Sequence, residues 1–393
     1  MRVLFISDVY FPRVNGVSTS IRTFRADLMT LGVESTLVAP EYDHSAEEPD
    51  VNVIRVASGR VPGDPEDRRM KSAAVGRALA PLASQNFDLV HIHTPFIAHY
   101  AGVRFARRRG IPVIATYHTF FEEYLHHYVP LLPRPIGRVL ARSFTRSQCA
   151  QVAAIIAPSE PMRALLLEYG VKSRVEVIPT GLPADRYVQG DGNRFRETYR
   201  IPKDRPLLLY VGRVAHEKNI DFLLLAFTEL RRTRPETMFA IAGEGPALSH
   251  LQAQVARQGL SAHVFFIGYL AREGELANCY AAADVFVFAS RTETQGLVLL
   301  EALAQGRPVV STAHLGTRSI LQAGCGARVA PERPEAFARA IADVLEDPVR
   351  AERLSEQAHS YAQTWASSRM AARLSTLYHD LIKSATAPAI AAA

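Results

Sequence analysis

Apolar residues in this chain come in short continuous runs separated by longer stretches of helical period. "RVLFIS" (2–7) has the character of a buried strand. A helical pattern follows from Ser18 to Leu31, then a second strand, "ESTLVAP" (34–40). "FDLVHIHT" (87–94) and "PVIATYH" (112–118) flank a helix around His99 to Arg109, and "QVAAIIAPS" (151–159) is the next strand. Strands that are continuously apolar, each followed by a helix, predict a parallel sheet covered on both faces. The rhythm runs to about Pro179, where "PTGLPADRYVQGDGN" (179–193) breaks it with the Pro, Gly and Asp of a linker. It then restarts: "PLLLYVGR" (206–213), a helix from Ile220 to Arg231, "MFAIAGEG" (238–245), "HVFFIGY" (263–269), "ADVFVFAS" (283–290) and "RPVVST" (307–312). The expected fold is α/β, with two doubly wound, Rossmann-like domains facing across a cleft, over 1–180 and 181–365. A last helical pattern, roughly Arg350 to Lys383, holds the only Trp, Trp365; residues 366–393 are read as a helix crossing back and a frayed tail.

Composition agrees. The chain has 393 residues, 48% of them hydrophobic and 21% charged, too long for a single core. Its three cysteines, Cys149, Cys279 and Cys325, lie far apart without metal-ligand spacing, which points to a reducing compartment. "MRVLFISD" has too short an apolar run for a signal peptide, and no later run approaches the roughly 20 residues of a spanning helix, so a cytoplasmic location is expected. The net charge of +6 is concentrated: from Arg60 to Arg146 there are 13 Lys and Arg against 6 Asp and Glu. Such a zone fits an anionic partner surface, membrane or nucleic acid, or a solvated basic face.

In open α/β sheets, ligands bind beyond the carboxyl ends of the strands. After "LLLYVG" come Arg213 and Lys218, two cations on one loop: a diphosphate site, or a pair of surface charges before a helix. After "MFAIAG" comes "EGP", where Gly243 and Gly245 either let backbone approach a ligand or simply turn the chain. After "ADVFVFAS" comes "RTETQGLVLLEALAQGRPVV" (291–310), in which Glu293 and Glu301 are separated by seven residues. The backbone N–H groups near Thr294 to Leu297 precede a helix and make an anion site. Glu293 lies beside it, or serves as a helix N-terminal charge. Glu301 sits among Leu299, Leu300, Ala302 and Leu303; it accepts from vicinal hydroxyls such as a ribose diol, or belongs to a buried ion pair. No strand runs into G-x-G-x-x-G, no Walker A sequence occurs, and no D-x-D pair is present to hold a metal-bound diphosphate.

These residues resemble retaining glycosyltransferases of the GT-B fold, family 4, over nearly the whole chain. The anchors are "DVYFPRVNGVSTSI", "YHTFFEEYLHHY", "GRVAHEKN", "GEGP" and the E-x7-E segment. The resemblance implies that Arg213 and Lys218 hold the diphosphate of a nucleotide sugar and that Glu301 binds the ribose. It implies that Glu293 and the backbone of Thr294, Gln295, Gly296 and Leu297 hold the donor sugar, with Gly243, Glu244 and Gly245 beside the donor. Asn15 and Gly16 would close the phosphate side, and His118 would face the transferring sugar. No cofactor or metal is implied. Two departures stand out: Gln295 where the family commonly has Phe, and a single glycine, Gly16, where it has a pair. "TETQGL…EA" with "YHTFFEEYLHHY" resembles the branch that glucosylates diacylglycerol at the bacterial inner membrane. The implied activity is transfer of glucose from UDP-glucose to a lipid, with front-face attack and retention. Transfer of mannose from GDP-mannose, or of another hexose, to a soluble glycan or small molecule is the alternative. A non-catalytic nucleotide-sugar-binding protein is the other, opposed by the intact residue set.

Arg134, Arg138, Arg142 and Arg146 recur every four residues along one helix stripe, with Ile136, Val139, Leu140 and Phe144 among them. The aromatic-rich "FFEEYLHHYVPLLP" (120–133) precedes them. This pattern fits a helix lying on anionic lipid, peripheral on the inner face of the membrane, or a solvated helix packed on the sheet. The expected partners are a nucleotide-sugar donor, a lipid or glycan acceptor and an anionic membrane surface, with no nucleic acid.

Overall fold

The computed structural model describes residues 1–43, 52–61, 64–118, 133–270 and 274–386, without the side chains of 64–67, 134 and 386. The chain forms two compact units, Met1–Gly181 with Ser367–Ala393, and Leu182–Ala366.

The first unit contains β1 (Arg2–Ile6), α1 (Gly16–Thr30), β2 (Glu34–Pro40), β3 (Val53–Val56), β4 (Ser58–Val61), β5 (Asp64–Met70), α2 (Ser72–Leu82), β6 (Leu89–Ile92) and α3 (Ile97–Arg109). After these come β7 (Val113–Thr116), α4 (Arg134–Cys149), β8 (Ala154–Ala157), α5 (Glu160–Glu168) and β9 (Arg174–Val177). Seven strands form a parallel sheet in the order β3-β2-β1-β6-β7-β8-β9. Val3, Leu4, Phe5 and Ile6 of β1 are fully buried, as a central strand covered on both faces requires.

The second unit contains α6 (Gly192–Thr198), β10 (Leu207–Val211), α7 (Ile220–Leu230), β11 (Met238–Ala242), α8 (Leu248–Arg257), β12 (Val264–Gly268), α9 (Glu275–Ala281) and β13 (Val285–Phe288). It continues with α10 (Leu297–Ala304), β14 (Val309–Ser311), β15 (Ala327–Val329), α11 (Pro334–Leu345) and α12 (Pro348–Gln363). Its sheet is parallel, in the order β12-β11-β10-β13-β14-β15. The order reverses between β10 and β13, the switch point where ligands bind in such sheets.

The helical pattern from Arg350 to Lys383 is two helices rather than one. α12 ends at Gln363 and α13 runs from Ser367 to Thr386. Between them the Trp365 carbonyl accepts from Leu182 N–H at 2.8 Å, and Leu182 and Ala366 form a parallel bridge. That pairing takes the backbone out of the helix. Trp365 packs against the core of the second unit, whereas α13 packs against α1 in the first and buries Tyr378 completely.

Candidate functional site

At the switch point of the second unit, the loops after β10, β11 and β13 become neighbours. Lys218, in a single 3-10 turn after β10, places Nζ 2.5 Å from Glu293 Oε1. Both side chains are about four-fifths buried. Burial pushes the Glu293 carboxyl up, but the Lys218 charge and its hydrogen bond outweigh that and hold it below the usual value. Arg213 lies on the same loop, with Nη1 3.6 Å from Glu217, and its carbonyl accepts from Tyr210 Oη at 3.0 Å. The two cations therefore stand on one loop, and Lys218 meets the Glu293 carboxylate.

The glycines of "GEGP" have a reason internal to the fold. Gly243 has φ +138°, and a Cβ there would fall 1.9 Å from the Gly212 carbonyl oxygen. One at Gly245 would fall 2.4 Å from that of Val214. Val214 N–H donates to the Glu244 carbonyl at 2.8 Å, so the two loops are clasped together. The close backbone approach read from the sequence is made to the loop carrying Arg213. Glu244's side chain is exposed.

Gly296, at φ +102°, is the residue before α10, so Leu297 is the first helical residue and Thr294 and Gln295 lie in the loop. That loop is held by Gly316 N–H, which donates to the Glu293 carbonyl at 2.9 Å. Glu301 is 4% exposed, on the fifth residue of α10. Its Oε2 accepts from Tyr280 Oη at 2.9 Å. A neutral hydroxyl therefore meets the buried carboxylate at this oxygen, which a reading as one half of an ion pair did not anticipate. Glu301 also lines a cavity of about 370 Å³ with Arg186, Gln189, Asn278, Tyr280 and Gln305.

The remaining candidates lie in the first unit. Asn15 caps α1: its Oδ1 accepts from Ser18 N–H at 2.9 Å. Gly16 opens that helix, with open space where a Cβ would stand. His118 lies two residues past β7, and its Nε2 is 3.2 Å from Nδ1 of His93, one residue past β6. Burial holds His118 down at about 4 and His93 well below its ordinary value, so both rings are neutral near pH 7 and one donates to the other. Behind them His91 bonds Tyr378 Oη and Thr116 Oγ1, each at 2.7 Å. His93 is not among the site residues read from the sequence, although it stands where the strand "LVHI" ends.

The aromatic stretch 120–133 falls almost wholly outside the described residues. α4 follows it. Ala141, Thr145, Gln148 and Cys149 face the core, which turns Ile136, Val139 and Leu140 outward at 52%, 65% and 52% exposure. Arg138, Arg142 and Arg146 run along the flank. Arg142 pairs with Glu168 at 3.3 Å and lies 4.9 Å from the centre of the Tyr169 ring; Arg146 packs beside Gly170. Arg138 is exposed. No helix among the described residues is long and apolar enough to cross a membrane.

Comparison with known proteins gives the family. The profile described as "Glycosyltransferase Family 4" matches residues 14–186, and that described as "Glycosyl transferases group 1" matches residues 191–361. The chain is 35% identical over 319 residues to the "Alpha-monoglucosyldiacylglycerol synthase" of Streptococcus pneumoniae (strain ATCC BAA-255 / R6), covering 79% of this chain and 71% of that one. This chain belongs to glycosyltransferase family 4. A protein of the same name from Acholeplasma laidlawii is 26% identical, with 97% of this glycosyltransferase and 98% of the relative covered. A "GDP-mannose-dependent alpha-mannosyltransferase" of Mycobacterium tuberculosis (strain CDC 1551 / Oshkosh) is 29% identical over 82% of this chain and 81% of its own. Among solved structures, a sucrose-phosphate synthase from Thermosynechococcus elongatus superposes with a TM-score of 0.79 at 20% identity, covering 98% and 99% of the two chains. That likeness establishes the GT-B fold of the glycosyltransferase.

Proposed function

We propose that this glycosyltransferase moves glucose from UDP-glucose to a lipid acceptor of the diacylglycerol type, with retention at the anomeric carbon and without a metal. The observation that carries the reading is the Lys218–Glu293 pair at the β10/β13 switch point, with Arg213 on the same loop as Lys218. It is supported by the similarity to the two alpha-monoglucosyldiacylglycerol synthases. In this reading the bond from C1 to the diphosphate breaks while the acceptor hydroxyl forms its bond on the same face. The departing diphosphate takes the hydroxyl proton. Arg213, Lys218 and the N-terminus of α10 stabilise the charge that develops on it, the kind of preorganised electrostatics that is usually the largest catalytic contribution. Glu293 and the backbone from Thr294 to Leu297 hold the sugar, Glu301 the ribose, and His118 faces the transferring sugar. Asn15 and Gly16 border the phosphates.

The lipid part of the reading is supported by α4, whose exposed Ile136, Val139 and Leu140 beside Arg138 match a helix that inserts shallowly into an anionic surface. The enzyme would then work peripherally on the membrane's inner face. Hydrolysis of UDP-glucose, UDP-galactose and GDP-mannose without acceptor, followed by transfer to diacylglycerol in vesicles, tests both halves. Turnover of GDP-mannose alone would favour the chemistry named in the mycobacterial relative.

A further inference from the structure

Glu332 stands three residues beyond β15 and belongs to no motif. Its carboxylate is about four-fifths buried. Oε1 accepts from Asn219 Nδ2 at 2.9 Å and from Arg291 Nη2; Oε2 accepts from Arg291 Nε at 3.0 Å and lies 3.1 Å from His314 Nε2. These partners follow β10, β13 and β14. One carboxylate therefore gathers the loops at the carboxyl ends of three strands onto a fourth.

Those loops carry the donor residues. Asn219 directly follows Lys218 and holds a left-handed conformation, φ 57° and ψ 36°. Its Nδ2 also donates to the Ala289 carbonyl at 3.2 Å, bridging the loops after β10 and β13. Arg291 precedes Glu293 by two residues. His314 opens the segment whose Gly316 N–H holds the Glu293 carbonyl. Lys218 is thus tied to Glu332 through Asn219, and Glu293 through both Arg291 and the His314–Gly316 segment. An arginine fork on a carboxylate fixes direction as well as distance. Because Arg291 is mostly exposed, the same fork adds little to global stability. Its effect is local.

We propose that Glu332 is a positioning residue of the donor site, which sets the separation and orientation of Lys218 and Glu293 without itself touching substrate. The proposal rests on the reading that these two residues engage the donor. Small misplacement of such groups costs catalysis steeply, on the order of 100-fold for about 1 Å.

Donor hydrolysis by the full chain, with whichever nucleotide sugar the wild type turns over, tests it alongside melting temperature. Glu332→Ala is expected to lower kcat by roughly 30- to 100-fold with donor KM changed by less than about threefold. Glu332→Gln keeps the size and the acceptor for Asn219 but loses the charged fork, and should fall between; it also carries the test if the alanine variant does not fold. In a Lys218→Ala background, Glu332→Ala should add less than about threefold, because its effect passes through a residue already gone. Wild-type kcat in both Glu332 variants, with Lys218→Ala inactive, overturns the positioning role and leaves the donor-site reading standing. Losses that multiply in the double mutant, in step with falling melting temperature, also overturn it. A fully active Lys218→Ala removes the donor-site reading and this proposal with it.

Discussion

Lys218 and Glu293, 75 residues apart in sequence, share a hydrogen bond of 2.5 Å between the loops after β10 and β13. The pair brings a cation and a carboxylate to the same point of the sheet, the two that the proposed function assigns to the leaving group and the sugar. Lys218→Ala and Arg213→Ala are each expected to lower kcat by roughly 100-fold or more through lost stabilisation of the departing diphosphate. EDTA should leave wild-type turnover intact. Full inactivation by EDTA with recovery on adding Mn²⁺ would sink the metal-free mechanism.

Glu301 and Tyr280 separate two roles for one carboxylate. Glu301→Gln should weaken UDP binding in calorimetry while the melting temperature changes little. Tyr280→Phe removes the hydrogen bond to Oε2 and should destabilise the unit by about 1.5–3 kcal/mol, the usual worth of a hydrogen bond to a charged group. If Glu301→Gln binds UDP like the wild type, the glutamate serves the fold alone.

The glycines predict opposite outcomes at two positions. Gly243→Ala puts a Cβ against the Gly212 carbonyl at an unfavourable φ. It should destabilise on the order of 2–5 kcal/mol, read as a lowered urea midpoint. Gly16→Ala meets open space at the start of α1, so stability should be unchanged or slightly higher. Lost turnover in that variant would then report a ligand contact, and full turnover would remove Gly16 from the phosphate side.

The first unit should lose stability in mild acid. Burial lowers His99 and His118 to about 4, and His91 and His93 well below their ordinary value of 6.5. The unfolded chain takes up these protons near 6.5 and the folded one does not. Stability therefore falls as pH drops from 6.5 towards 4, by up to about 1.4 kcal/mol per pH unit for each histidine. Asp8 acts in the opposite sense. Burial raises it to about 6 against hydrogen bonds from Thr94 and the Ala98 N–H, so its contribution is lost as pH rises from 3.8 through 6. Four histidines outweigh one aspartate. Urea midpoints should decline steadily below pH 6.5, and His99→Gln should flatten the slope by about one proton; a flat profile from about pH 7.5 to 5 would contradict the assignment.

Much of this was legible because buried parallel strands are continuous apolar runs. "LLLYV" and "VLFI" are fully or almost fully buried where they were read as strands. β9, "RVEV", and β15, "ARV", escaped notice because edge strands carry charge and are short. Arg213, Lys218 and Glu293 were legible because residues following strands meet at a switch point. Glu332 was not, since its four hydrogen bonds come from Asn219, Arg291 and His314, none of which is near it in sequence. The arginine stripe of α4 was legible from its spacing; which side of the helix meets the sheet, and so that Ile136, Val139 and Leu140 turn outward, was not.

That exposure sharpens the membrane test. If the arginines alone bound lipid, salt would release the protein, since surface charge is screened within about 8 Å at physiological ionic strength. With Ile136, Val139 and Leu140 pointing outward, burial in the acyl boundary adds up to about 1.5–3 kcal/mol per side chain, against about 1 kcal/mol for each basic residue. Binding to phosphatidylglycerol vesicles should therefore weaken in high salt without vanishing. Val139→Glu with Leu140→Glu should abolish sedimentation with the vesicles, whereas Arg138→Glu should only reduce it. Arg142, engaged with Glu168 and Tyr169, is a poorer choice to reverse, because its charge is already shared with a neighbour. In the double glutamate variant, transfer to membrane-embedded acceptor should fall at least tenfold, by about the loss in binding, while donor hydrolysis stays near wild type. Wild-type protein that remains in the supernatant at low salt would make α4 an ordinary surface helix and return the acceptor to a soluble molecule.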